Sequence, residues 1–172
     1  PRHIQAVSTF ARLHPGIQKA IYDMAWAELR PLQVRAIQAT LDTDAPLILA
    51  ASTASGKTEA AFLPVLSRIA EARVDSVQAL YISPLKALIN DQFHRLEQLC
   101  EAAEIPVHRW HGDVSSTAKQ RLRQEPGGVL LITPESLEAQ FCHQDRHLSR
   151  MYRSLQFVVI DELHAFLDDV RG

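Results

Sequence analysis

The chain has 172 residues, of which 47% are hydrophobic and 22% are charged, so it can form one globular domain and is not expected to be disordered. Its formal net charge is -2, so any affinity for nucleic acid must come from local groups and not from bulk charge. Two isolated cysteines and apolar stretches of strand length disfavour a structural metal, a disulfide framework and a membrane span, so we expect a cytoplasmic protein.

Short apolar strands alternate with amphipathic helices along most of the chain. Two helices are predicted first, at 17–29 and 31–41, and longer ones follow at 57–71 and 85–100. The predicted strands are 46–51, 77–82, 106–110, 128–132 and 157–160. The third is the most polar and is expected near an edge, whereas the last two are expected to be buried. This order predicts a mainly parallel sheet with helices on both faces, an α/β core at 45–172 after a helical segment at 1–44.

The segment 50–58 carries a phosphate-loop pattern between a predicted strand and a predicted helix. Backbone N–H groups at a helix start point toward an anion, and the helix dipole favours negative charge there. Lys57 can reach the β- and γ-phosphates, and the Thr58 hydroxyl can bind Mg²⁺. A polar connector is the alternative, and the strict pattern has Gly where this chain has Ala51. The loop residues expected around the phosphates are Thr53, Ala54, Ser55 and Gly56.

An acidic motif, Asp161-Glu162-Leu163-His164, directly follows the last predicted strand. Ligands of parallel sheets bind at the carboxyl ends of the strands, so we expect this motif to converge with the phosphate loop. Asp161 is placed to hold Mg²⁺ and Glu162 to deprotonate the attacking water. The alternative is a solvated acidic turn, in which His164 is simply a polar turn residue.

Together these two motifs resemble those of the superfamily 2 helicases of the DEAD/DEAH-box type, whose second motif reads D-E-x-H or D-E-A-D. That family often has Ala at the first position of the phosphate loop, as here. The resemblance implies a three-layer RecA-like P-loop fold, ATP and Mg²⁺ as cofactors, and a coupling role for His164. The acidic motif and the segment Ser-Pro-Leu-Lys-Ala-Leu at 83–88 are most similar to the Lhr-like (large helicase-related) branch.

Further segments are similar to the family's other motifs, in the expected order. Arg30-Pro31-Leu32-Gln33 resembles the glutamine element of the family. The resemblance implies that Gln33, beside Arg30, binds the adenine edge, and an amide offers the donor and the acceptor that adenine requires. Segments 83–92 and 133–137 resemble motifs Ia and Ib, and 110–113 resembles a glycine-containing loop. Ordinary helix capping is the alternative for each alone. The resemblance implies nucleic-acid contacts by Pro84, Lys86, Gln92, Gly112, Asp113, Thr133, Pro134 and Glu135.

The function expected from these residues is that of the first RecA-like domain of an ATP-dependent helicase or translocase, acting on DNA in preference to RNA. Its expected partners are nucleic acid and a second RecA-like domain of the same full-length protein. The chain resembles a fragment, and because that second domain supplies arginines to the γ-phosphate in the family, the isolated chain is expected to hydrolyse ATP slowly. Two alternatives stay open: a non-catalytic nucleotide-dependent binding module, and a P-loop ATPase or kinase that does not act on nucleic acid.

Overall fold

The structure, a computed structural model, describes residues 2–51, 55–142 and 147–167. They divide into two compact units. The first unit comprises Pro1–Ala72 and Gln98–Ile105, and the second comprises Arg73–Glu97 and Pro106–Gly172.

The first unit is built from helices. They are α1 (Arg2–Phe10), α2 (Pro15–Asp23), α3 (Pro31–Asp42) and α4 (Lys57–Ala70). The helices α3 and α4 begin where the sequence predicts, but α2 ends six residues before the predicted 29, because the backbone turns at Ala25, whose φ is +54°. The fully buried side chains of this unit include Ile17, Ile37, Phe62, Leu63 and Leu66.

Residues 46–51 form no strand in the structure, so the prediction of a first strand there is wrong. Leu47 is 47% exposed and Ile48 is 80% exposed. A strand is stabilised by a hydrogen-bonded ladder with a neighbour, and the described elements of the first unit are helices. The apolar run therefore has no strand within its unit with which to pair.

The described residues of the second unit form a four-stranded, all-parallel sheet. Its strands are β1 (Ala79–Ile82), β2 (Val107–Trp110), β3 (Val129–Ile132) and β4 (Phe157–Ile160), in the order β2-β3-β1-β4. Ile132 lies opposite both Ile82 and Trp110, and Ile82 lies opposite Ile160. The four carboxyl ends are therefore level, and the residues that follow them share one edge.

Helices of the second unit pack on both faces of this sheet, as the alternating pattern predicts. The helices with residues in this unit are α5 (Lys86–Glu101, of which the part up to Glu97 belongs here), α6 (Ser116–Gln124), α7 (Pro134–Cys142), α8 (Leu148–Met151) and α9 (His164–Leu167). On one face, Leu80 and Leu130 join a core with Leu122 of α6 and Met151 of α8. The opposite face carries Arg109, whose guanidinium contacts α5.

The positions of the outer strands test two further predictions. The more polar strand, β2, lies at an edge as predicted. The prediction that 157–160 is buried is wrong, because β4 forms the other edge and its residues alternate between half-buried and exposed. Val158 and Ile160 are 53% and 49% exposed. An apolar run indicates burial of side chains, but it does not reveal how many neighbours a strand has.

Candidate functional site

The start of α4 has the geometry of an anion site. Gly56 is its N-cap residue, with φ +80° and ψ 32°, and as a glycine it has no side chain with which to cap the helix. Lys57 Nζ donates to the carbonyl oxygen of Ala51 at 2.9 Å. The Ser55 hydroxyl is buried and has no hydrogen-bond partner among the residues that the structure describes. Backbone N–H groups at a helix start, a hydroxyl and a nearby ammonium are the donors that a phosphate requires.

Gln33 lies directly against this helix start. Its side chain is 3% exposed, and a β-carbon at Gly56 would lie 2.9 Å from Gln33 Nε2. Gln33 is therefore not an exposed helix glutamine, and its Oε1 accepts a hydrogen bond from the backbone N–H of Arg30 at 2.9 Å at the start of α3. An amide oxygen has two lone pairs, so this bond leaves acceptor capacity for a base. The structure therefore brings the predicted adenine-reading and phosphate-binding residues together within the first unit.

Two more residues of the first turn of α4 complete this region. Thr58 is half-buried, whereas Glu59 is 7% exposed with its carboxylate near Gly56. Sequence analysis missed Glu59, which carries a negative charge where the helix dipole favours one. The predicted loop residues Thr53 and Ala54 lie outside the described residues.

Asp161 is held at the carboxyl end of β4 by three hydrogen bonds. Its N–H donates to the Ile82 carbonyl oxygen at 2.9 Å, its Oδ2 accepts from the Tyr81 hydroxyl at 2.6 Å, and its Oδ1 accepts from the Glu162 N–H at 2.9 Å. Tyr81 is 1% exposed. Burial first, and then the hydrogen bond and charge of Asp161, raise the pKa of Tyr81 above its usual range, so the phenol stays a donor. Both carboxylate oxygens are oriented, and each retains a lone pair.

Sequence analysis missed Tyr81, although a signal was present. It is the one aromatic residue in the strand Ala-Leu-Tyr-Ile, and a buried tyrosine hydroxyl usually requires a polar partner. The identity of that partner, 80 positions away in the sequence, follows only from the parallel pairing of β1 with β4.

Glu162 and His164 form a pair just beyond Asp161. The Glu162 carboxylate lies 3.4 Å from His164 Nδ1, and both side chains reach solvent. Glu162 has φ +52°, in the left-handed region that residues with a β-carbon rarely adopt. Such conformations cost about 1–3 kcal/mol and are found preferentially at functional sites.

The second unit also brings together two of the predicted nucleic-acid segments. Lys86 Nζ lies 3.1 Å from both carboxylate oxygens of Asp113, and a β-carbon at Gly112 would lie 3.3 Å from the same ammonium. The start of α5 and the glycine-containing loop therefore form one exposed cluster. Pro84 is half-buried just before it.

The third predicted segment starts α7 at the same edge of the sheet. Thr133 is 4% exposed, its N–H donates to the Trp110 carbonyl oxygen at 3.4 Å, and its hydroxyl donates to Ser136 Oγ at 2.9 Å. Pro134 is the first residue of α7, and Glu135 is exposed in its first turn. The Thr133 side chain thus contacts the first turn of α7, and its predicted contact with nucleic acid stays a prediction.

Gln92 is placed differently from the other residues of its segment. It is 7% exposed, and its Oε1 is buried without a hydrogen-bond partner. Its predicted contact with nucleic acid stays a prediction.

The described ranges contain no cluster of three or more histidine, cysteine, aspartate or glutamate side chains arranged to hold a metal ion. Magnesium bound with a nucleotide needs no such cluster, because phosphate oxygens and water supply most of its ligands. None of the helices in the same ranges has the length and hydropathy of a membrane-spanning helix.

Comparison with known proteins places this architecture among the helicases. The chain is 32% identical over 143 residues to the ATP-dependent helicase Lhr-Core protein 2 of Thermococcus barophilus, a match that covers 73% of the chain and 16% of that protein. It is 34% identical over 166 residues to the Lhr helicase/probable uracil glycosylase of Mycolicibacterium smegmatis, covering 88% of the chain and 11% of that protein. The chain therefore spans less than a fifth of the length of these relatives.

A solved structure of the Mycobacterium smegmatis helicase Lhr, bound to single-stranded DNA and AMP-PNP, superimposes with a TM-score of 0.76 at 31% identity. That match covers 91% of this chain and 21% of the other, and it confirms the RecA-like fold. The sequence profile of the DEAD/DEAH box helicases matches residues 30–172. On the strength of that match and of its Lhr relatives, the chain belongs to the DEAD/DEAH box helicase family of superfamily 2, in its Lhr-like branch.

Proposed function

We propose that this chain is the nucleotide-binding domain of an ATP-dependent helicase or translocase that moves on DNA in preference to RNA. The observation that carries the proposal is the close approach of the Gln33 amide to Gly56 at the start of α4. It combines a base-reading amide with a phosphate-binding helix start. The relatives named as ATP-dependent helicases and the Lhr structure bound to single-stranded DNA and AMP-PNP support the same assignment.

In the first unit, the proposed task of the residues is to bind and orient ATP. Gln33, aided by Arg30, hydrogen-bonds the adenine edge. Lys57 leaves the Ala51 carbonyl and takes the β- and γ-phosphates as its partner, while the N–H groups at the start of α4 and the Ser55 hydroxyl bind phosphate oxygens. Exchange of a neutral carbonyl for a charged phosphate oxygen favours the ammonium electrostatically.

In the second unit, the proposed task is the chemistry at the γ-phosphate. Glu162 accepts a proton from the attacking water as its oxygen bonds to the γ-phosphorus and the bond to the bridging oxygen breaks, releasing ADP. Asp161 is the residue of this unit proposed to hold magnesium, which would neutralise charge on the phosphate oxygens, and in the first unit the Thr58 hydroxyl is the proposed ligand. Tyr81 and the Glu162 N–H fix the Asp161 carboxylate. His164 pairs with Glu162 and is proposed to couple hydrolysis to nucleic-acid binding.

The proposed nucleic-acid surface follows the carboxyl ends of the strands of the second unit. Lys86, Gly112 and Thr133 would bind the sugar-phosphate backbone through one ammonium, backbone N–H groups and a hydroxyl. Contacts of this kind need little net charge, which is consistent with a formal charge of -2 for the chain. Pro84, Gln92, Asp113, Pro134 and Glu135 belong to the same proposed surface.

Nucleotide selectivity tests the first part of this proposal. Titration of fluorescent ATP and GTP analogues should show a preference for the adenine nucleotide that Gln33→Ala removes. Gln38→Ala is the matched control, since Gln38 lies on the same helix and its amide bonds Thr9 instead. Equal affinities of the wild-type chain for the two analogues would contradict the adenine-reading role.

Two further variants separate the proposal from its alternatives. Glu162→Gln keeps the size of the side chain but cannot accept the proton, so hydrolysis by the full-length protein should fall by roughly 10²–10⁴-fold while ATP binding persists. Unchanged function of that variant would favour a non-catalytic binding module. Lys86→Ala and Thr133→Val should weaken binding of single-stranded DNA; no loss in either would favour an ATPase that does not act on nucleic acid.

A further inference from the structure

Asn90 lies at the centre of a partly buried polar network that the proposed function does not use. Its side-chain oxygen accepts two hydrogen bonds, from Arg109 Nη1 at 2.8 Å and from His111 Nε2 at 3.0 Å. Arg109 precedes the end of β2 by one residue, and His111 follows that end. One amide on α5 therefore anchors both sides of the point where β2 passes into the glycine-containing loop.

His111 links Asn90 to the loop through hydrogen bonds at both of its ring nitrogens. It is 3% exposed, and its Nδ1 accepts a hydrogen bond from the Asp113 N–H at 3.3 Å. Because Nδ1 is the acceptor, Nε2 carries the proton that is donated to Asn90. Burial lowers the pKa of His111, against the opposing effect of Asp113, and this favours the neutral ring that the two bonds require.

Asn90 is also aligned with Lys86. The two residues are four apart on α5, so they share a face of the helix. Lys86 meets the same loop from that face, next to Gly112 and Asp113. The loop is thus joined to α5 twice, by a partly buried hydrogen bond at Asn90 and by an exposed ion pair at Lys86, and salt weakens the exposed ion pair more than the hydrogen bond.

We propose that Asn90 is a positioning residue for nucleic-acid binding, which holds the loop 111–113 against α5 so that Lys86 and Gly112 form a single phosphate-binding surface. The ligand of this surface is the sugar-phosphate backbone of a single strand. The proposal rests on the proposed function and assigns Asn90 no contact with nucleic acid. Without the side-chain oxygen of Asn90, Arg109 and His111 lose their common hydrogen-bond acceptor. The loop then separates from α5, and Lys86 no longer binds the same phosphate as the loop.

The salt dependence of binding tests this role, because it counts the ionic contacts made to phosphates. Affinity of the chain for a fluorescein-labelled oligothymidylate would be measured by anisotropy over a range of salt concentrations. Loss of one phosphate contact reduces the slope of log affinity against log salt by about 0.7 for a single strand. Lys86→Ala should show this reduction, and so should Asn90→Ala, although Asn90 is neutral. The double variant should show it once, because both changes remove the same contact.

Controls distinguish this proposal from the proposed function and from loss of folding. Gln98→Ala removes an exposed amide from the same helix and should leave the slope unchanged. Asn90→Ser, with a shorter acceptor, should give a partial reduction if Asn90→Ala is too unstable to measure. If Lys86→Ala lowers the slope but neither Asn90 variant does, Asn90 is not a positioning residue. If the wild-type chain does not bind the oligonucleotide, the proposed nucleic-acid surface itself is wrong.

Discussion

Replacing Tyr81 by phenylalanine isolates the hydrogen bond that orients Asp161. The substitution removes one oxygen atom and leaves the ring, so the packing of this residue, which is 1% exposed, is retained. A hydrogen bond to a charged acceptor contributes about 1.5–3 kcal/mol to stability, and at 2.6 Å this one is short. Asp161 is half-buried, so water can replace the phenol in part. We therefore expect a loss of about 1–2 kcal/mol in the free energy of unfolding.

Urea denaturation of the chain, followed by circular dichroism, would measure this loss. Tyr22→Phe is the matched control, because Tyr22 is 81% exposed and the same change should have almost no effect there. The double change Tyr81→Phe with Asp161→Ala should cost less than the sum of the two single changes, since each removes the same bond. Equal midpoints for the Tyr81→Phe and Tyr22→Phe variants would refute the reasoning, as would strict additivity in the double variant.

Three other outcomes follow from the structure. Burial, with Arg121 nearby, lowers the pKa of His108 to about 4, so the folded chain favours the neutral ring. The free energy of unfolding should therefore fall by on the order of 2–3 kcal/mol as the pH drops from 6.5 through 4. Denaturation curves measured across this range should show a smaller fall for His108→Leu. Gly56→Ala places a β-carbon at φ +80° beside Gln33, so nucleotide affinity and the unfolding midpoint should both decrease. Gly127→Ala, whose β-carbon would have its nearest contact at 3.4 Å, should be tolerated. Asp113→Asn removes the anion that faces Lys86, so affinity for single-stranded DNA should rise roughly two- to fivefold in anisotropy titrations. A decrease in affinity would mean that the ion pair supports binding.

Local sequence signals predicted much of the fold. Proline at the start of α3 and the Gly-Lys-Thr segment at the start of α4 mark helix beginnings that the structure confirms. The fully buried strand β3 and the more polar edge strand β2 also follow from their own residues. These features depend on side-chain periodicity and capping, which act within a few residues of one another.

The features that sequence analysis missed depend on residues far apart in the chain. The segment 46–51 is as apolar as β3, yet it forms no strand, because a strand requires a neighbour as well as hydrophobic side chains. Likewise, nothing in the residues of β4 indicates that it forms an edge. Sequence patterns predict which segments can be strands, but they do not predict how those strands pair.

The candidate site shows the same division. Short motifs are enough to predict Lys57, Asp161 and Glu162 as site residues. Supporting contacts cannot be predicted in the same way, since Tyr81 reaches Asp161 only through strand pairing, and Asn90 reaches His111 only through packing of α5 on the sheet. The supporting residues of such a site are recognised only when tertiary contacts are known.

The left-handed backbone at Glu162 has an evolutionary consequence. Glycine would adopt φ +52° with little penalty, so Glu162→Gly should relieve about 1 kcal/mol of local strain while deleting the carboxylate proposed to accept a proton. Selection for folding alone would therefore favour glycine at this turn, and a carboxylate persists there only where its reactivity matters more than stability.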